Sequence, residues 1–111
     1  EYHTSADNLE FVDGDRLAEA FDVIARILGV VDRDRILVNT EPYGEPQLGA
    51  RGLYSALGGT SIPDAQMAML WVLNQSDGTK SMLDIAQRSG LPFDSVVATA
   101  SVLERHGLLR R

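Results

Sequence analysis

The stretch SMLDIAQRSGLPFDSVVATASVLERHGLL, residues 81–109, carries the strongest fold signals in the chain. Ser81 and Asp84 have the spacing of a capping box, in which each side chain accepts a hydrogen bond from the other residue's backbone N–H. A short helix is therefore predicted to begin here, and Gly90 is a typical residue to end it. The side chains predicted to point inward from this helix are Leu83, Ile85 and Ala86.

A second, longer helix is predicted after the turn at Pro92, over about residues 94–106, and Gly107 is expected to end it. Apolar residues recur along this segment at the spacing of one helix face. The positions on that face are Val96, Ala100 and Leu103.

Upstream, a further helix is predicted from a cap at Ser61, with Pro63 in its first turn, to about Asn74. The residues after it, 76–79, have the composition of a turn. The side chains predicted to line the inner face of this helix are Met67, Leu70 and Trp71.

The spacing of these segments is similar to that of winged helix-turn-helix domains, in which a short helix, a tight turn and a longer recognition helix pack together. The residues up to Leu109 resemble the point where the recognition helix gives way to the first strand of the wing. The resemblance implies a winged-helix domain over residues 61–111.

The charge distribution does not favour DNA binding by this domain. The net charge is −6, and the whole acidic excess lies in residues 1–59. A docking or structural module is therefore the preferred interpretation, and a DNA-binding regulator domain is the alternative. The nearby arginines for that alternative are Arg88, Arg105, Arg110 and Arg111. The residues predicted to face outward on the recognition helix, none of them basic, are Asp94, Ser95, Ala98, Thr99 and Ser101.

The first half of the chain contains one predicted helix and one predicted strand. Apolar residues at helical spacing indicate a helix over about residues 15–28, with Gly29 as its stop signal, and residues 35–39 indicate a short strand. Prolines and glycines in residues 41–60 favour an irregular connector, and its Leu53, Tyr54 and Leu57 are candidates to pin it to a core. The fold class predicted for the chain is α+β, mostly α.

Before the first helix, residues 2–8 read YHTSADN. This segment resembles the last metal-ligand segment of the di-zinc exopeptidase superfamily, which includes aminopeptidases. The resemblance implies that His3 is a zinc ligand and that Asp7 positions it, because imidazole nitrogen binds zinc well and a carboxylate can hold the second ring nitrogen. The alternative is that His3 is a solvated side chain near a terminus.

The order of these segments, together with EPQLGARGLY at residues 45–54, resembles a bacterial family that joins an aminopeptidase-like domain to a C-terminal winged helix. Some members of that family are linked to polysaccharide biosynthesis. The resemblance implies that residues 1–40 derive from the peptidase domain and that the chain is a non-catalytic C-terminal portion.

The chain alone is not expected to hydrolyse peptides or to bind zinc. It has two histidines and no cysteine, whereas a catalytic zinc needs three protein ligands. Zinc is therefore expected only in the intact parent, meaning the longer aminopeptidase-like protein to which the resemblance assigns this chain. The expected partner is the rest of the peptidase domain or a second copy, with no membrane partner. The absence of cysteine and of a long apolar run fits a cytoplasmic location.

Overall fold

The computed structural model describes residues 3–44, 46–49, 52–53 and 64–111. Two compact units are present, Glu1–Asp32 and Arg33–Arg111. The predicted cap at Ser61 and the predicted first-turn Pro63 lie outside the described residues, as do Tyr54 and Leu57 of the connector and both ends of the 45–54 motif.

The first unit is built around helix α1, Gly14–Arg33. Asp13 caps it, because its Oδ1 accepts hydrogen bonds from the N–H groups of Asp15 at 2.9 Å and Arg16 at 3.3 Å. The predicted end at residue 28 was wrong, since the helix continues through Gly29 to Arg33. One glycine costs a helix only about 1 kcal/mol, and the valines that follow extend the apolar repeat.

The second unit contains a three-stranded antiparallel sheet. Its strands are β1 (Ile36–Asn39), β2 (Asp77–Ser81) and β3 (Leu109–Arg110), in the order β2-β1-β3. The strand predicted at residues 35–39 is thus the central strand, which pairs with both of the others. The prediction of a turn over residues 76–79 was wrong for residues 77–79, because they belong to β2, which pairs with β1 through an irregularity at which Gly78 has a φ of 84°.

Among the described residues, three longer helices belong to the second unit: α2 (Ala65–Gln75), α3 (Met82–Ser89) and α4 (Phe93–Arg105). The capping box of α3 is confirmed, because Asp84 N donates to Ser81 Oγ at 3.3 Å and Ser81 N donates to Asp84 Oδ2 at 2.9 Å. Gly90 ends α3 with a φ of 71°, a left-handed conformation that favours glycine.

One hydrophobic core holds the second unit together, and it draws on the helices, the sheet and the connector. Leu53, predicted to pin the connector, is fully buried, and the three inner positions predicted for the recognition helix are confirmed. The fully buried larger side chains include Leu37, Leu53, Met69, Val72, Met82, Ile85, Val96, Leu103 and Leu108.

The inner face predicted for α2 was wrong for two of its three residues. Met67 is 51% exposed and Leu70 is 49% exposed, whereas Trp71 is partly buried and packs against the core. The helix is apolar around most of its circumference, so two different faces have helical spacing and the pattern could not select between them. In α3, Leu83 also lies outward at 43% exposed. The residues that α2 buries are Ala68, Met69, Val72 and Leu73.

Candidate functional site

The outer face of α4 is the surface that would approach DNA if the chain used its helix-turn-helix in the usual way. Asp94 and Arg105 are exposed on this face, and Ala98 and Ser101 are half-buried. The prediction that Ser95 and Thr99 also face outward was wrong, because they are 5% and 0% exposed. Both α2 and α3 pack against α4, so α4 buries a wider stripe than its apolar residues alone indicate.

The junction between α1 and β1, residues 33–35, contacts this outer face at its N-terminal end. Arg33 Nη1 lies 2.6 Å from Asp94 Oδ1, and the Arg33 guanidinium carbon lies 5.4 Å from the centre of the Phe93 ring. A guanidinium at this distance over an aromatic face gains a cation–π attraction in addition to the ion pair. The negative charge of Asp94 is therefore balanced by Arg33, which belongs to the same unit.

The same junction contacts α4 near its C-terminal end through Arg35. Arg35 Nη2 lies 2.7 Å from Ser101 Oγ and 2.8 Å from Glu104 Oε2. The Arg35 and Glu104 side chains are 24% and 22% exposed, so water screens this ion pair less than it screens the pair at Asp94. Both acidic residues on or beside the outer face of α4 are thus paired with junction arginines.

Asp34, between the two arginines, binds the start of α3. Its Oδ1 accepts a hydrogen bond from Leu83 N at 2.9 Å, and the backbone oxygen of Arg35 accepts one from Met82 N at 3.0 Å. The first N–H groups of a helix have no partner inside the helix, so these two bonds satisfy donors that would otherwise need water. The junction therefore holds both helices of the helix-turn-helix.

The four arginines predicted for the DNA-binding alternative are all exposed. They are spread over the second unit: Arg88 is in α3, Arg105 is in the last turn of α4, Arg110 is in β3 and Arg111 follows it. On α4 itself, no basic residue precedes Arg105.

The predicted zinc ligand lies in the loop before α1. His3 is exposed and has a φ of 64°, and Asp7 is exposed four residues later. The loop is held by the backbone bond from Asp7 N to Thr4 O at 3.1 Å. Within the parts of the chain that the structure describes, no three His, Cys, Asp or Glu side chains form a group that could hold a metal ion. These residues alone do not fit a complete zinc site.

A cavity of about 350 Å³ lies at one end of the sheet, between the loop after β1 and helix α2. Asp77 is at its edge, where the Lys80 ammonium and the Thr79 hydroxyl and N–H hold the pKa of the Asp77 carboxyl well below its usual range. The ion pair keeps Asp77 charged, so this carboxylate is unsuited to proton transfer near neutral pH. The residues lining the cavity include Asn39, Glu41, Pro42, Leu70, Asn74 and Asp77.

Comparison with known families identifies the second unit. A winged helix-turn-helix family matches residues 35–111, which include all three strands and helices α2 to α4. The chain belongs to the winged helix-turn-helix family. The predicted fold class, α+β and mostly α, is confirmed, and the match begins just before β1, so the central strand is part of the winged helix.

Two relatives extend beyond the winged helix. A Clostridium acetobutylicum protein provisionally named as a polysaccharide biosynthesis protein with an aminopeptidase-like domain is 44% identical over 110 residues. The match covers 98% of this chain and 25% of that protein. A crystal structure from Clostridium acetobutylicum, provisionally titled a peptidase, is 39% identical with a TM-score of 0.74, covering 98% of this chain and 23% of the other. The predicted resemblance to part of an aminopeptidase-like protein is confirmed, and the chain spans about a quarter of these relatives.

The role of the junction, residues 33–35, was not predicted from the sequence. The alternating charges of Asp32-Arg33-Asp34-Arg35 were visible, but such a run is usually a solvated surface segment. The partners of the two arginines lie more than sixty residues away in α4, at Asp94, Ser101 and Glu104, so no local spacing reveals them.

Proposed function

We propose that this chain is the C-terminal part of an aminopeptidase-like protein, in which the winged helix is a structural or protein-interaction module rather than a reader of DNA. One observation carries the proposal: the outer face of α4 has no basic residue before Arg105, and its acidic residues are paired with Arg33 and Arg35. DNA binding needs several cationic contacts to phosphate, and this face supplies almost none.

We expect the chain to bind a random DNA duplex no more tightly than about 10⁻⁴ M at physiological salt, the weak end of non-specific binding. Fluorescence anisotropy with a labelled duplex at two salt concentrations measures this affinity. The Ala98→Lys variant is the control, because it places one cation on the outer face of α4 and should bind more tightly in a salt-dependent way.

The alternative function, a DNA-binding regulator domain, is favoured by the family and by the exposure of Arg88, Arg105, Arg110 and Arg111. Sub-micromolar, sequence-selective binding that Arg105→Ala weakens would establish the alternative and refute the proposed function.

For the intact parent we propose zinc-dependent hydrolase chemistry, with His3 as one metal ligand and Asp7 as the carboxylate that orients it. The support is the similarity to aminopeptidase-like proteins and the exposure of both side chains.

A single imidazole holds zinc weakly, so the chain alone should retain no stoichiometric zinc at micromolar concentration after gel filtration. In the parent, His3→Ala should lower the zinc content measured by mass spectrometry more than Asp7→Asn does. Unchanged zinc content in His3→Ala would remove the ligand assignment.

For the location of the parent we propose the cytoplasm. The support is the absence of cysteine from the sequence, which fits a reducing compartment. Among the helices that the structure describes, none has both the length and the apolar content needed to cross a bilayer.

A further inference from the structure

Helix α1 has a broad apolar surface that is exposed in the part of the chain that the structure describes. None of its residues is buried, and seven of its large apolar side chains are between 56% and 69% exposed, while Val30 is half-buried. Contiguous apolar patches of this kind mark surfaces that contact another protein segment, a membrane or a ligand. The exposed side chains are Leu17, Phe21, Val23, Ile24, Ile27, Leu28 and Val31.

The width of this apolar surface shows how it must be covered. At about 100° per residue, the seven exposed large side chains span roughly 160° of the helix circumference, and the alanines and half-buried Val30 widen the apolar arc to roughly 240°. A polar strip of about 60°, formed by Glu19, Asp22 and Arg26, lies opposite the middle of that arc. A helix lying on one surface needs an apolar stripe of only about 100°, so α1 is suited to being enclosed on more than one side.

We infer that α1 is a core element of the aminopeptidase-like domain, which encloses its apolar arc and leaves the polar strip in water. This inference rests on the proposed membership of a larger protein. The chain covers 25% and 23% of its two relatives, so about three quarters of such a protein lies outside this chain and can supply the enclosing residues. A second copy explains the surface less well, because a two-fold contact between two helices covers only one stripe of each.

Thiol labelling in the full-length parent tests the inference. The chain has no cysteine, and single cysteines can be placed in an otherwise cysteine-free parent. Ala20→Cys lies in the apolar arc and changes little volume, whereas Asp22→Cys lies in the polar strip as the matched control. Both positions are exposed in this chain, so both thiols should react at similar rates when the chain is labelled alone.

In the folded parent, the thiol of Ala20→Cys should react at least about 100-fold more slowly than the thiol of Asp22→Cys, because it becomes accessible only when the domain opens locally. Equal and fast labelling of both positions in a folded, monomeric parent would overturn the inference. Protection of Ala20→Cys that appears in the chain alone and grows with its concentration would also overturn it, by showing that a second copy covers α1. Neither labelling result depends on DNA affinity. The labelling experiment can therefore refute the inference about α1 without refuting the proposed role of the winged helix, and DNA binding can refute that role without affecting the inference.

Discussion

Ala100→Asp should unfold the winged helix. Ala100 is fully buried in the middle of α4, where it belongs to the core cluster together with Val96 and Leu103. The core around residue 100 has no room for water beside a carboxyl group. The carboxyl group must therefore be buried without water or a hydrogen-bond partner, or the core must open. The cost should be about 4 kcal/mol or more, a large share of the roughly 5–15 kcal/mol that stabilises an ordinary domain. Thermal melting followed by the fluorescence of Trp71, the single tryptophan, measures the loss.

Ala98→Asp is the matched control for this substitution. Ala98 is in the same helix but is half-buried on the outer face, where a carboxylate keeps most of its water. A change within about 1 kcal/mol is expected there. A melting temperature of Ala100→Asp close to that of the unsubstituted chain would show that the core is not arranged around α4 in this way.

The helix-turn-helix was predictable from the sequence because its signals are local. The Ser81 and Asp84 capping box, the left-handed Gly90 and the inner face of α4 each depend on residues within one or two turns. These features set where helices begin and end whatever the rest of the chain does. The order of the segments was enough to indicate the family.

Other parts of the fold depend on contacts between distant segments, and the sequence predicted them poorly. Residues 77–79 have turn composition, yet pairing with β1 makes them a strand. Helix α2 is apolar on nearly every side, so its buried face is selected by the elements that pack against it. Tertiary contacts routinely outweigh such local preferences.

The candidate site was predictable only in part. The lack of basic residues on α4 before Arg105 is a property of composition and was visible in the sequence. The pairing of Asp94 and Glu104 with Arg33 and Arg35 was not, because those partners meet only after the chain has folded. His3 and Asp7 stay predictions, since their proposed metal site requires residues from outside this chain.

Leu37→Ala should destabilise the winged helix, although residue 37 lies far before the helix-turn-helix in the sequence. Leu37 is fully buried in the central strand β1, so its truncation removes core contacts and leaves a cavity, at a cost of roughly 2–5 kcal/mol. Ile36→Ala is the control, because this neighbour points to the other face of the sheet and is 49% exposed, and a loss below about 1 kcal/mol is expected. Urea unfolding followed by Trp71 fluorescence reports on α2, a different element of the same core. If both variants unfold at the same urea concentration as the unsubstituted chain, β1 does not belong to the winged helix.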